Sequence, residues 1–191
     1  MKNTNKNSYY KLPILDGLEL FSAKNHTLNF PFHTHNTFNI TLTFDQTFST
    51  KLCNRFLQAP GRTIVITNPY EVHATICENK IGSSFFTFYI SPDILKELNH
   101  RRTVFFEDKI VYDTSLFRQL YALSQNFNNP AFEVEKILLA VLKQLVTKSA
   151  NDTISDTKKT NLFQRFLEED TFEKFPWKTL QKNSVWTNTN F

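Results

Sequence analysis

Near residue 113 the spacing of apolar side chains changes, and that change sets the choices open to this chain of 191 residues. Ahead of it the pattern has a period of two. Residues 37–44 alternate without a break, with Phe38, Ile40, Leu42 and Phe44 on one face and Thr37, Asn39, Thr41 and Thr43 on the other, as a strand requires. Residues 62–67 carry Ile64, Val65 and Ile66 between Pro60-Gly61 and Asn68-Pro69, which reads as a buried strand bounded by turns. Residues 72–76 alternate again, and residues 85–90 are aromatic enough for the middle of a sheet. Ser91 is placed to cap a short helix with Pro92 in its first position, and residues 103–111 return to strand. Many short strands with turns between them predict a sandwich or barrel over residues 11–113. Residues 1–10 are polar and aperiodic, the pattern of a loose leader.

Beyond residue 113 the period is 3.6. Leu116, Leu120, Leu123 and Phe127 form one helical stripe that ends at Asn128-Asn129. Asn129 as cap and Pro130 in the first position open a second helix carrying Val134, Ile137, Leu138, Val141, Leu142 and Leu145. So short a connection predicts an antiparallel helical hairpin over residues 114–148. Leu139 and Val146 widen the apolar arc beyond one stripe, which points to a second copy of the chain as partner, met through Leu138, Val141, Leu142 and Leu145. Residues 149–160 read as a polar linker. In residues 161–191, Leu162, Phe163, Phe166 and Leu167 begin a further helix that looks like the opening of another domain. The fold class expected is therefore α+β.

Composition narrows the function. At 40% hydrophobic and 21% charged, the chain has enough apolar surface for a core. No apolar run approaches the roughly 18–20 residues of a membrane span, and the polar N-terminus lacks the apolar stretch of a secretory signal. Neither feature suggests a membrane partner. Cys53 and Cys77 make no disulfide framework, so a reduced, cytoplasmic setting is expected. The net charge of +4 lies wholly ahead of residue 149, because the remainder carries six basic and six acidic residues. A neutral tail has no surplus of cations to displace counterions from DNA.

Three of the five histidines could act together. His33 and His35 are spaced i, i+2, which turns both imidazoles to one side of an extended chain, and His73 opens another strand. Imidazoles on neighbouring strands can hold a divalent metal. A small-molecule pocket lined by aromatics and a few polar groups would add Asn39 and Tyr89 to His33, His35 and His73. For His26 and His100 an ordinary satisfied side chain is expected. If one unbroken strand ran from His33 to Phe44, the histidines would share a face with Asn39, Thr41 and Thr43, giving a hydrogen-bonding pocket. A bulge near Asn36 would instead bring histidines and aromatics inward together.

The segment Pro31-Phe32-His33-Thr34-His35-Asn36-Thr37-Phe38-Asn39-Ile40 resembles the H-x-H opening of the cupin barrel in AraC-type transcription regulators. Pro60-Gly61, an apolar strand and Asn68-Pro69-Tyr70-Glu71-Val72-His73 resemble the second motif of that domain, and Gly17-Leu18-Glu19-Leu20 and Phe88-Tyr89-Ile90-Ser91-Pro92 fall where the family has them. The match covers roughly residues 15–100. Residues 166–184 resemble the start of the family's DNA-binding domain, with the sequence ending where the recognition helix would begin. The resemblance implies a cupin-like, double-stranded β-helix barrel that binds a small-molecule effector, with the helical hairpin joining two copies. It implies no enzymatic activity and no obligatory cofactor, and DNA as partner only where the C-terminal domain is complete. Metal-dependent cupin enzymes, dioxygenases or isomerases, offer the alternative. Their usual carboxylate after the H-x-H pair is missing here, where Phe38, Asn39 and Ile40 stand.

Overall fold

The computed structural model describes residues 5–53, 55–77, 82–130 and 132–152. Six strands build the larger sheet: β1 (Lys6–Lys11), β2 (Glu19–His26), β4 (Phe38–Thr43), β7 (Ile64–Thr67), β9 (Ser83–Ile90) and β11 (Ile110–Val111). Their order is β1-β2-β9-β4-β7-β11, antiparallel throughout. The smaller sheet has the order β3-β8-β5-β6, made of β3 (Phe30–His33), β5 (Phe48–Leu52), β6 (Phe56–Ala59) and β8 (His73–Ile76). From β3 to β9 the chain passes repeatedly between the two sheets. Among the described residues the strands divide into separate sheets that do not close into one double-stranded β-helix barrel, with a third pair made by β10 (Val104–Phe105) and β12 (Asn151–Asp152). Among the described residues no helix is long and apolar enough to cross a membrane.

The alternation of β4 shows how the larger sheet is used. Phe38, Ile40 and Leu42 join Leu20, Ile64, Ile66, Phe86, Phe88 and Ile90 in the main core. Three helices, α1 (Pro92–Leu98), α2 (Thr114–Asn126) and α3 (Val134–Ser149), contribute most of the remaining side chains of that core, with Leu18, Val104, Phe106 and Val111 added from outside them. The opposite face of the same sheet turns to the smaller sheet across a slighter apolar cluster of Ala23, Phe48, Ala59, Val65 and Phe85. Gly61 makes the tight turn before β7, where a Cβ would stand 2.4 Å from the Phe44 carbonyl oxygen.

Several local expectations change. Residues 6–11, expected to be loose, form β1, in register with β2 from Lys6 opposite Lys24 to Lys11 opposite Glu19. Residues 103–111 hold two short strands rather than one. The second helix of the hairpin starts at Val134 after Glu133, not at Asn129-Pro130. Phe132 is drawn against the core, so the chain turns twice more before the helix begins. Leu138, Val141, Leu142 and Leu145, expected at a contact with a second copy, are packed inside this chain's own core at 0–1% exposure and present no free surface. Asp113 caps α2 by accepting from the Leu116 N–H, and Lys148 near the end of α3 reaches the same carboxylate at 2.7 Å, tying the hairpin together. Most of the linker and all of residues 161–191 lie outside the described residues.

Candidate metal and ligand site

His33 ends β3 in the smaller sheet and β4 begins at Phe38 in the larger one, so no single strand links the H-x-H pair to Asn39. The intervening residues cross from one sheet to the other. His33 lies directly opposite His73 of β8, and His35 joins them from the crossing segment. The ring centroids are 4.4 Å apart for His33 and His73, 4.8 Å for His33 and His35, and 5.4 Å for His35 and His73.

Hydrogen bonding fixes the direction of two rings. His33 donates its Nδ1–H to the Pro31 carbonyl at 2.6 Å, and His73 donates its Nδ1–H to the Glu71 carbonyl at 2.9 Å. Each acceptor lies two residues back along the chain. The lone pair is thereby left on Nε2, the tautomer that a metal-binding histidine adopts when a carbonyl holds its other nitrogen. Burial, with the nearby His33 acting in the same direction, pushes His35 down to about 4 and His73 down to about 3. Both are neutral at pH 7, as a ligand must be.

The three histidines offer ligand atoms that all lie within 4.8 Å of one another. Imidazole nitrogens bind zinc at about 2.0–2.1 Å, so closing on an ion requires side-chain movements on the order of 1 Å. The donor set fits a borderline divalent ion such as zinc, iron or copper and leaves coordination positions for a ligand. Glu71, the carboxylate nearest to His73 in sequence, is turned away and meets the Lys109 ammonium at 2.8 Å.

The polar face of β4 faces the site, as the first arrangement expected from the sequence has it, but a crossing between sheets brings it there rather than one unbroken strand. Asn39 Nδ2 stands 3.5 Å from His73 Nε2, and the Tyr89 ring is 5.2 Å from His35. Asn39, Tyr89 and Glu19 lie in line across β4, β9 and β2. Burial, helped by the Glu19 charge, pushes Tyr89 up to about 12, so it remains a hydrogen-bond donor. Buried Thr41 and Thr87, 2.9 Å apart between their hydroxyls, continue the polar surface inward. The five candidates His33, His35, Asn39, His73 and Tyr89 are thus neighbours. Glu19 is not singled out by its local sequence, because Phe21 and Ala23, which share its side of β2, are apolar. Nor is Lys109, for which no local pattern exists. His100 is exposed, and His26 is buried elsewhere with Nδ1 beside the Asn7 amide. A groove of about 740 Å³ near Leu12, Ile14, Phe132 and Leu139 contains none of the five.

No family model matches the sequence, and no curated protein matches it. Among solved structures the chain is similar to a conserved protein of unknown function from Streptococcus pyogenes, at 8% identity and TM-score 0.36, over 48% of this chain and 78% of that one. It is similar to oxalate decarboxylase from Bacillus subtilis at 9% identity and TM-score 0.41, over 48% of this chain and 26% of the enzyme. A third similarity, to the plu4264 protein from Photorhabdus luminescens, has 12% identity and TM-score 0.39, over 49% of this chain and 79% of that one.

Proposed function

We propose that residues 5–152 form a cupin-like domain that binds a small-molecule effector at a divalent metal held by His33, His35 and His73, and that this domain is the sensor of an AraC-type transcription regulator. One observation carries the metal: His33 and His73 both surrender Nδ1–H to backbone carbonyls and keep Nε2 for a ligand bond. The effector completes the coordination, with Asn39 and Tyr89 as hydrogen-bonding groups beside it. The regulatory half of the reading is supported by the order of the Pro31–Ile40 and Pro60–His73 motifs along the sequence. In this reading the protein is a cytoplasmic homodimer that needs a complete C-terminal domain to reach DNA. A ligand then acts by binding one arrangement of the dimer better than another.

Metal analysis with zinc titration calorimetry tests the site. The expected result is close to one ion per chain, lost in His33→Ala and in His73→Ala. A folded wild-type protein that neither retains nor takes up zinc, iron or manganese overturns the metal. A second reading, a metal-dependent enzyme, draws on the same open coordination positions. Sustained oxygen consumption by the iron-loaded protein with small acids or diols would favour it over a sensor.

A further inference from the structure

Lys109 is a lysine at 4% exposure, and its buried ammonium is directed at a turn rather than at the histidines. Its Nζ donates to Glu71 Oε2 at 2.8 Å and to the Phe106 carbonyl at 2.8 Å, and lies 4.9 Å from the centre of the Phe105 ring. Glu71 belongs to the turn 68–71. Its carboxylate also accepts from the Asn68 N–H at 3.0 Å, closing the turn on itself. The Asn68 side chain grips Phe106 from the other side, donating to its carbonyl at 2.9 Å and accepting from its N–H at 3.0 Å.

This turn holds two of the three histidines. The Glu71 carbonyl takes the Nδ1–H of His73, and the Tyr70 N–H donates 2.7 Å to the His35 carbonyl. Tyr70 adopts φ of +61°, a left-handed conformation unfavourable for its side chain, so the turn depends on its surroundings to stay in place. We propose that Lys109 is a positioning residue for the histidine cluster: by clamping Glu71 it fixes the turn 68–71, and through that turn the Nε2 of His73 and the backbone of His35. The inference rests on the metal reading above.

A hydrocarbon side chain could fill the same space, and a buried ion pair is often no more stabilising than such a replacement. The ammonium adds direction. It anchors Glu71 to the backbone of Phe106, so the carbonyl that selects the His73 tautomer cannot drift.

The test combines zinc titration of the full chain with ¹⁵N NMR of the His73 ring in the metal-free protein, on wild type, Lys109→Met, Lys109→Arg and Glu71→Gln. Lys109→Met is expected to weaken zinc binding about 10–100-fold, the cost typical of losing a partner that orients a ligand, and to mix the His73 tautomers. Glu71→Gln, which keeps acceptor oxygen but loses charge, is expected to fall between Lys109→Met and wild type, and Lys109→Arg to recover part of the loss. Folded Lys109→Met with wild-type zinc affinity and an unmixed Nδ1–H tautomer overturns the proposal. Should Lys109→Met fail to fold, Glu71→Gln is read in the same way. If wild type binds no zinc, the metal reading fails alone, and the tautomer measurement still decides the clamp.

Discussion

His26 lies with its ring stacked on Phe30 at 4.5 Å, and among the described residues its buried Nε2 meets no hydrogen-bond partner. A proton gained on this ring would bury a charge, and desolvation outweighs the opposing effect of the Leu28 backbone hydrogen bond. Burial accordingly lowers His26; it also takes His35 down to about 4 and His73 down to about 3. An unfolded chain holds all three near 6.5. Between those limits the unfolded state binds more protons, so stability rises with pH over that window. The histidine contribution is complete above about 6.5 and is lost progressively as the medium is acidified toward 4 and then 3. Urea midpoints should hold from pH 7.5 to about 6.5 and then fall as the pH drops further to 4.5, and His26→Gln should flatten that fall. A midpoint constant across the range would contradict the burial of these rings. Zinc affinity should fall nearer pH 4, where protons begin to compete with the metal for the lone pairs of His35 and then His73.

Elements show which parts of the architecture were legible. In α3 the positions Leu138, Val141, Leu142 and Leu145 were readable as apolar from their spacing, but their partner was not. A stripe that meets another helix of the same chain and one that meets a second copy have the same period. The structure places them inward, with Leu138 at 0% exposure. Leu138→Ala should therefore cost about 2–5 kcal/mol in a denaturant titration, while Lys143→Ala on the exposed side should cost almost nothing. Gly61 makes a second case. The Pro60-Gly61 turn was evident in the sequence, yet only the fold brings the Phe44 carbonyl within 2.4 Å of the missing Cβ. Gly61→Ala should lower stability by about 1–3 kcal/mol, read as a reduced thermal midpoint with unchanged zinc stoichiometry. The histidines were legible because i, i+2 spacing and strand starts are local facts. Lys109 and Glu71 were not, because 38 residues separate them and nothing near either one signals the other. The α3 start was missed for a related reason: tertiary packing of Phe132 overrode a good capping signal at Asn129-Pro130.

At the scale of the whole domain the two faces of the six-stranded sheet have opposite characters. One carries the main core, which includes Phe88 and Ile40 at 0–1% exposure, under three helices. The other meets the smaller sheet through five buried apolar residues and a surface rich in threonine and histidine. Amide exchange in native conditions should accordingly release β3, β5, β6 and β8 before β4 and β9. Equal protection in both sheets would argue for a single cooperative unit. A molecule built with an oily seam on one side and a wet seam on the other can be prised apart at the wet side while the oily one stays shut. Whatever slips in there encounters hydroxyl groups and imidazole nitrogens before it meets hydrocarbon, so the protein's own layering sorts its guests by polarity.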